Sequence, residues 1–408
     1  MPRGSRAAVR VRCAAFVLLL SGCATVQGQA LPGMTPVDLA RLNIGVFEAK
    51  PVDRLPEVAD RKSVFQIESR RMLGSLVAPY EVDGELGELM GTHLLAAGEP
   101  GMYLELGANL PPQFQPVFER NYFMSGAMTT RSNGNPRTLK GLAVGILRFP
   151  SDAMAQTAAT ELDAATGEFK PDRHGIAVPN HPQARASGAE ADRKGYVYAA
   201  RGPFVVLAMV TSPVSDANAL AAQFKRVLDL QFPKLDKLVP TPVDDILDLP
   251  TNPDAIMRRA LPTTSAATDL DVPPETIGVF DPAAHLHYER DGALLKQVFA
   301  DTGVDLVARN AGIVYRTTDL AAAFELQNAL TELGPGDEAI GAPPGIADAA
   351  CVQLDQTAPP SGIRHLCAVV YGRYVAVVGS RGKSGGAVDP TLYQRAAAQY
   401  SILAKSEQ

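Results

Sequence analysis

The chain has 408 residues, 46% hydrophobic and 20% charged, with a formal net charge of -6. That apolar content excludes a disordered chain, and the acidic balance argues against a nucleic-acid binder, which needs a basic face. The length suits two or three domains with proper cores, and 32 Pro with 35 Gly imply many loops. The absence of Trp removes a Trp-lined sugar platform. No apolar run reaches the roughly 18 residues of a membrane-spanning helix.

The N-terminus reads as an export signal. Arg3, Arg6, Arg10 and Arg12 form a basic region without acids, and Cys13–Leu20 (CAAFVLLL) is a short apolar stretch. Leu20, Ser21 and Gly22 then spell a lipoprotein cleavage box ending at Cys23, whose thiol is expected to take a diacylglycerol. Small Ser21 and Gly22 let an extended chain enter a peptidase site. Adjacent arginines are missing, which argues against a twin-arginine route. Residues 1–22 are therefore expected to leave as a signal peptide. They carry four arginines and no acid, so a net charge of -10 remains. Two or three acyl chains, at about 0.8 kcal/mol per buried methylene, would anchor the rest at the extracytoplasmic face of the membrane. Residues 23–40 read as the lipidated cysteine and a tether.

With Cys13 removed and Cys23 acylated, Cys351 and Cys367 remain as an even pair in an oxidising compartment. They flank a Pro/Gly turn between strand-like AACVQL and HLCAVVY. A hairpin centred on Pro359 sets them opposite each other, within disulfide range.

Further along, one module occurs twice. In residues 41–235, a strand at Leu142–Phe149 precedes a helix capped by Ser151 and Asp152, with Ala155, Ala158, Ala159 and Leu162 on one face. Two strands, Gly195–Gly202 and Phe204–Val210, follow, and a helix starts at Asp216. In residues 276–408 the same order returns. A strand at Gly312–Arg316 leads to a helix capped at Asp319, carrying Ala323, Leu326, Leu330 and Leu333. Then come strands His365–Gly372 and Tyr374–Val378 and a helix from Asp389. Gly202 and Phe204 match Gly372 and Tyr374 at an offset of 170, and Asp152 matches Asp319 at 167. Val117-Phe118 and Val298-Phe299 also correspond. The expected fold class is α+β: two tandem related modules, each a mainly antiparallel sheet with helices packed on one face. Residues 236–275 are rich in proline, which forbids long helices and suits an inter-domain strap. In residues 41–115 the signals are weaker, with a helix expected at Gln66–Val77 and a strand at Met102–Leu106.

Motifs for chemistry are few. Gly382-Lys383-Ser384 lacks the upstream Gly of a phosphate-binding loop, since position 377 is Val. Gly382 to Gly386 also spells Gly-x-Ser-x-Gly, but no helix starts at Ser384 and no His follows it. His285 and His287 would share one face of a strand with Glu289, a weak metal candidate whose bland alternative is two surface histidines. His93, His174, His181 and His365 stand alone. Asp244-Asp245 and the Asp269, Asp271 pair fall in the strap, where solvated charge accounts for them better than acid–base work in a walled cleft. Tyr196, Tyr198 and Phe204, with Tyr371 and Tyr374, form stripes that suit a core more than a ligand groove. No catalytic residues and no cofactor are assigned.

With the cleavage box, the Ala/Asp/Arg-rich composition and the doubled module in view, the chain resembles actinobacterial cell-envelope lipoproteins of the Nocardia and Mycobacterium type, a family of unknown function. The resemblance spans nearly the whole chain, but only Leu20–Cys23 is specific, and it supplies no active-site residues. The expected function is non-catalytic: binding a small molecule, a lipid or an envelope partner in or near the cleft between the two domains. The expected partners are the membrane, through lipid on Cys23, and such a ligand or envelope protein, with no nucleic acid. An envelope hydrolase or transferase with a site assembled from scattered loop residues is the alternative, and a purely structural role the third.

Overall fold

The strands of the chain form two seven-stranded antiparallel sheets. The computed structural model describes residues 33–53, 58, 60–97, 110–263, 276–355, 362–381 and 388–407. The signal box Leu20–Cys23, the Met102–Leu106 strand, Pro359, Asp269, Asp271 and Gly382–Gly386 lie outside them.

In the first sheet β1 (Glu88–Ala96), β2 (Ser125–Ser132), β3 (Gly141–Arg148), β4 (His174–Gly175), β5 (Arg185–Ala189), β6 (Lys194–Arg201) and β7 (Phe204–Thr211) lie in the order β1-β2-β3-β7-β6-β5-β4. The second holds β8 (Gly278–Phe280), β9 (Leu306–Arg309), β10 (Gly312–Arg316), β11 (Glu338–Ile340), β12 (Ala350–Gln353), β13 (His365–Tyr371) and β14 (Tyr374–Ser380). Its order, β8-β9-β10-β14-β13-β12-β11, is the same topology strand for strand. Register agrees as well. Phe204 faces both Arg201 and Arg148, and Tyr374 faces both Tyr371 and Arg316. Gly202 and Gly372 open the two hairpin turns at φ +57° and +55°, a conformation that glycine adopts without a steric penalty. The two-module α+β fold is thus a repeat.

The helices occupy both faces of each sheet, where the sequence reading placed them on one. In the first repeat Leu142, Val144 and Ile146 pack with α1 (Arg61–Leu73), α2 (Pro79–Val82) and α5 (Ala217–Leu235). Their neighbours Ala143 and Leu147 pack on the other side with α3 (Gln115–Arg120) and α4 (Asp152–Phe169). In the second repeat Val314, Ala376 and Val378 meet α9 (Pro390–Ser406), while Tyr315 and Val375 meet α7 (Gly292–Asp301) and α8 (Leu320–Leu330). Central strands apolar on both faces read as continuous hydrophobic runs, as LAVGIL and FVVLAMV do. The caps follow the sequence: Ser151, Asp216, Asp319 and Asp389 each accept a hydrogen bond from the first turn of their helix.

Two segments cross between the repeats. Leu42, Phe47 and Ala49, expected in the first domain, join the core under α9 in the second. Conversely Phe280 of β8 and Ala284 of α6 (Pro282–His285) enter the core of the first repeat. The proline-rich strap forms 3-10 turns at Val243–Asp248 and Pro253–Arg259, and buries Ile246, Ile256 and Met257. Asp244 and Asp245 are exposed on the first of these turns.

Candidate functional site

A cavity of about 780 Å³ opens on the α7/α8 face of the second sheet and is walled by β1 of the first. Its floor is apolar: Ile313 of β10, Val377 of β14, Leu366 of β13 and Val352 of β12 point into it. Leu294 of α7, Leu330 at the end of α8 and Leu333 past it form a rim. Leu294 and Leu333 remain 40% and 49% exposed.

The cavity exists because the repeats differ in one helix. In the first, α4 runs for 18 residues, and Phe169 at its end stacks edge-on against Phe114 and Tyr196. In the second, α8 has only 11 residues and stops at Leu330, just before Gly334-Pro335-Gly336. Proline and glycine end a helix, so Leu333, expected on this helix, lies beyond it. Leu366, at the place of Tyr196, is left facing the opening.

Polar groups gather at the end nearest β1. The carboxylate of Glu289 accepts hydrogen bonds from Nε2 of His285 (2.8 Å) and from the hydroxyl of Tyr315 (2.6 Å), through the same oxygen, Oε1. His285 also approaches that hydroxyl at 3.1 Å. Oε2 of Glu289 has no hydrogen-bond donor among the described residues, and the side chain is 14% exposed. Burial pushes the Glu289 carboxyl up, but the His285 and Tyr315 hydrogen bonds and the Arg309 charge outweigh it, so it stays below the usual range. Burial lowers His285, against the pull of Glu289. Burial and the neighbouring carboxylate hold Tyr315 well above its ordinary value. The trio is thus an ionised acid, a neutral imidazole and a protonated phenol. All three are held in place by hydrogen bonds to one another. The guanidinium of Arg309 lies over the Tyr288 ring, 4.2 Å from its centroid, and its buried Nε has no hydrogen-bond partner.

The two histidines singled out as metal candidates do not sit on a strand. His285 ends α6 and His287 lies in the following 3-10 turn, Leu286–Tyr288. Helical geometry points residues two apart in different directions. His285 therefore reaches Glu289, whereas His287 donates to the carbonyl of Leu76 in the first repeat at 3.3 Å. Both are buried, so neither is a surface residue. Among the described residues no group of three His, Cys, Asp or Glu side chains is suited to a metal ion. Cys351 and Cys367 form a disulfide across the β12–β13 ladder, with Cα atoms 4.1 Å apart. They lie in the core under α9, while Val352 and Leu366 beside them face the cavity. His174 pairs with Asp192 and His181 with Asp229, and His365 contacts Gln353. His93 lines the cavity. Tyr196, Tyr198, Phe204 and Tyr374 are core residues, and Tyr371 packs on Tyr400.

Sequence reasoning singled out neither Arg309 nor Tyr315. The repeat itself carried the signal. By ladder register Arg309 stands where the first repeat has Met128, and Tyr315 where it has Leu147. Both of those counterparts are buried in an apolar core.

Fold and site together define a duplicated α+β protein with an amphipathic cavity in its second repeat. The chain belongs to the family described as Domain of unknown function (DUF7373): the N-terminal family model matches residues 55–251 and the C-terminal one residues 256–406. A comparison with curated proteins returns no match. Among solved structures, the extracellular domain of PknH from Mycobacterium tuberculosis is similar over 40% of this chain and 95% of its own, at 12% identity and a TM-score of 0.28.

Proposed function

We propose that this protein is a lipid-anchored extracytoplasmic binding protein that holds a small amphipathic molecule in the cavity of its second repeat. The observation that carries the reading is the cavity itself. Its volume of about 780 Å³ suits a small ligand, its floor is apolar, and a few fixed polar groups converge at one end. Hydrogen bonds among Glu289, His285 and Tyr315 fix the polar end of the cavity. The anchor rests on the Leu20–Cys23 box and its flanking regions. Among the described residues no helix is long and apolar enough to cross a membrane. The domain division is part of the same proposal, with modules at 41–235 and 276–408 on either side of the strap, although Leu42, Phe47 and Ala49 pack in the core of the second and Phe280 and Ala284 in that of the first.

Native mass spectrometry tests the binding function. The chain from Ala24, which contains the whole compact unit from Gly33 to Gln408, is purified from its own host without detergent. A stoichiometric extra mass that disappears in Leu366→Tyr is expected. A bare polypeptide, with no mass gained on exposure to envelope lipid extract, overturns the reading. For the anchor, labelling with a fatty-acid probe is expected in the full chain and lost in Cys23→Ser; unchanged labelling rules it out.

A further inference from the structure

The head group that the cavity selects is written in its charges. Of the charged side chains in its lining, Arg290, Asp291, Glu332 and Arg381 are exposed, and Arg290 is paired with Asp337; Glu289 and Arg309, one of each sign, are half-buried. An ionic head entering this balanced, mostly apolar space would leave one buried charge uncompensated, which is costly. Two hydrogen-bonding groups nevertheless stay unused. Oε2 of Glu289 can only accept, and the guanidinium of Arg309 can only donate. They are not paired with each other, since no ion pair between them lies within 4.0 Å among the described residues. A group that both donates and accepts satisfies both at once, and an uncharged hydroxyl is the smallest that does.

Resting on the binding reading above, we propose that the ligand is an uncharged amphiphile, an acyl or alkyl chain ending in hydroxyls. The hydroxyl donates to Glu289 and accepts from Arg309, and the chain lies on Ile313, Leu366 and Val377. The comparison within the molecule points the same way. Where the first repeat fills its core with Met128, Leu147 and Tyr196, the second places Arg309, Tyr315 and Leu366. The same scaffold has gained two polar side chains and given up a large ring at one spot.

The test is isothermal titration calorimetry on the chain from Ala24 with three amphiphiles of matched chain length below their micelle concentrations: a monoacylglycerol, a fatty acid and an alkyltrimethylammonium. The monoacylglycerol is expected to bind about tenfold tighter than either charged analogue. Glu289→Gln and Arg309→Met should each erase most of that preference, about tenfold, while the chain still binds. Arg309→Met restores the residue type that the first repeat packs at this place, so its fold is expected to hold, and thermal melts check it. Leu366→Tyr should abolish binding of all three. Tighter binding of the fatty acid, weakened by Arg309→Met, would instead assign an anionic head and overturn the proposal. Equal binding of the three would overturn head-group recognition while leaving the cavity reading intact. No binding of any amphiphile would remove the cavity reading itself.

Discussion

His287 shows how one residue ties the chain's stability to pH. It is buried, and burial together with the nearby Arg131 charge pushes its pKa down to about 3, against an ordinary 6.5. A group whose folded pKa is depressed binds its proton more readily when unfolded. Its stabilisation is therefore complete above pH 6.5 and is lost as pH falls toward 3. The slope is about 1.4 kcal/mol per pH unit for one such histidine. Buried His285 is shifted in the same direction. Urea denaturation between pH 7 and 4 is expected to show falling stability, with a shallower slope for His287→Gln; an unchanged slope would show that this histidine is not the sensor. The disulfide acts on the unfolded chain. Cys351 and Cys367 are 16 residues apart, and a loop of that size contributes about 3 kcal/mol in the chain-entropy model. The first repeat has Ala186 opposite Val197 at the same register and closes its ladder without a bridge. Replacing both cysteines by Ala is expected to lower unfolding free energy by about that amount while near-native circular dichroism persists; equal urea midpoints would contradict it.

Among the elements, α8 decides most. It is short, and its N-terminus depends on Asp319, which accepts from the amide of Ala322 at 2.9 Å. Only Ala322, Ala323, Leu326 and Gln327 of the helix are buried, so the cap carries a large share of its stability. Asp319→Ala should cost about 1 kcal/mol. Hydrogen exchange in Leu320–Leu330 should rise more than in α4, and a uniform rise over both repeats would mean that the cap is not specific to this helix. The same brevity leaves the face of the second sheet open beside Leu366. A helix as long as α4 would close it.

For the whole molecule, the critical joint is the segment from Ile277 to Asp291. Arg131 of β2, fully buried, donates to the carbonyls of Glu289 (2.6 Å), Arg290 (3.1 Å) and Gly87 (2.7 Å). Thr92 donates to the carbonyl of His287 at 2.5 Å, and Arg70 to that of Ile277 at 3.0 Å. The first repeat thus holds the backbone that presents Glu289 to the cavity. Hydrogen bonds from a charged donor are worth roughly 1.5–3 kcal/mol each, and a lost donor strands its acceptors. Arg131→Met is expected to destabilise the protein by at least about 3 kcal/mol and to split one calorimetric unfolding transition into two. A single transition at an unchanged temperature would show that the repeats are coupled elsewhere.

Much of this was legible in the amino-acid sequence because it is local. Helix periods, the caps at Ser151, Asp216, Asp319 and Asp389, and the glycine turns at 202 and 372 are set by neighbouring residues. So was the duplication, since matching elements kept matching spacings, and so was the Cys351–Cys367 pairing, since a hairpin brings its own two arms together. The cavity was not legible. It arises from a helix that ends early over a sheet assembled from residues far apart in the chain. Nor does a strand-like run such as HLHYE disclose that its histidines fall on helical turns, because their burial against the first repeat sets that conformation. Short-range physics wrote the elements into the sequence; which polar side chains meet inside the cavity was decided only when distant segments packed and left that space between them.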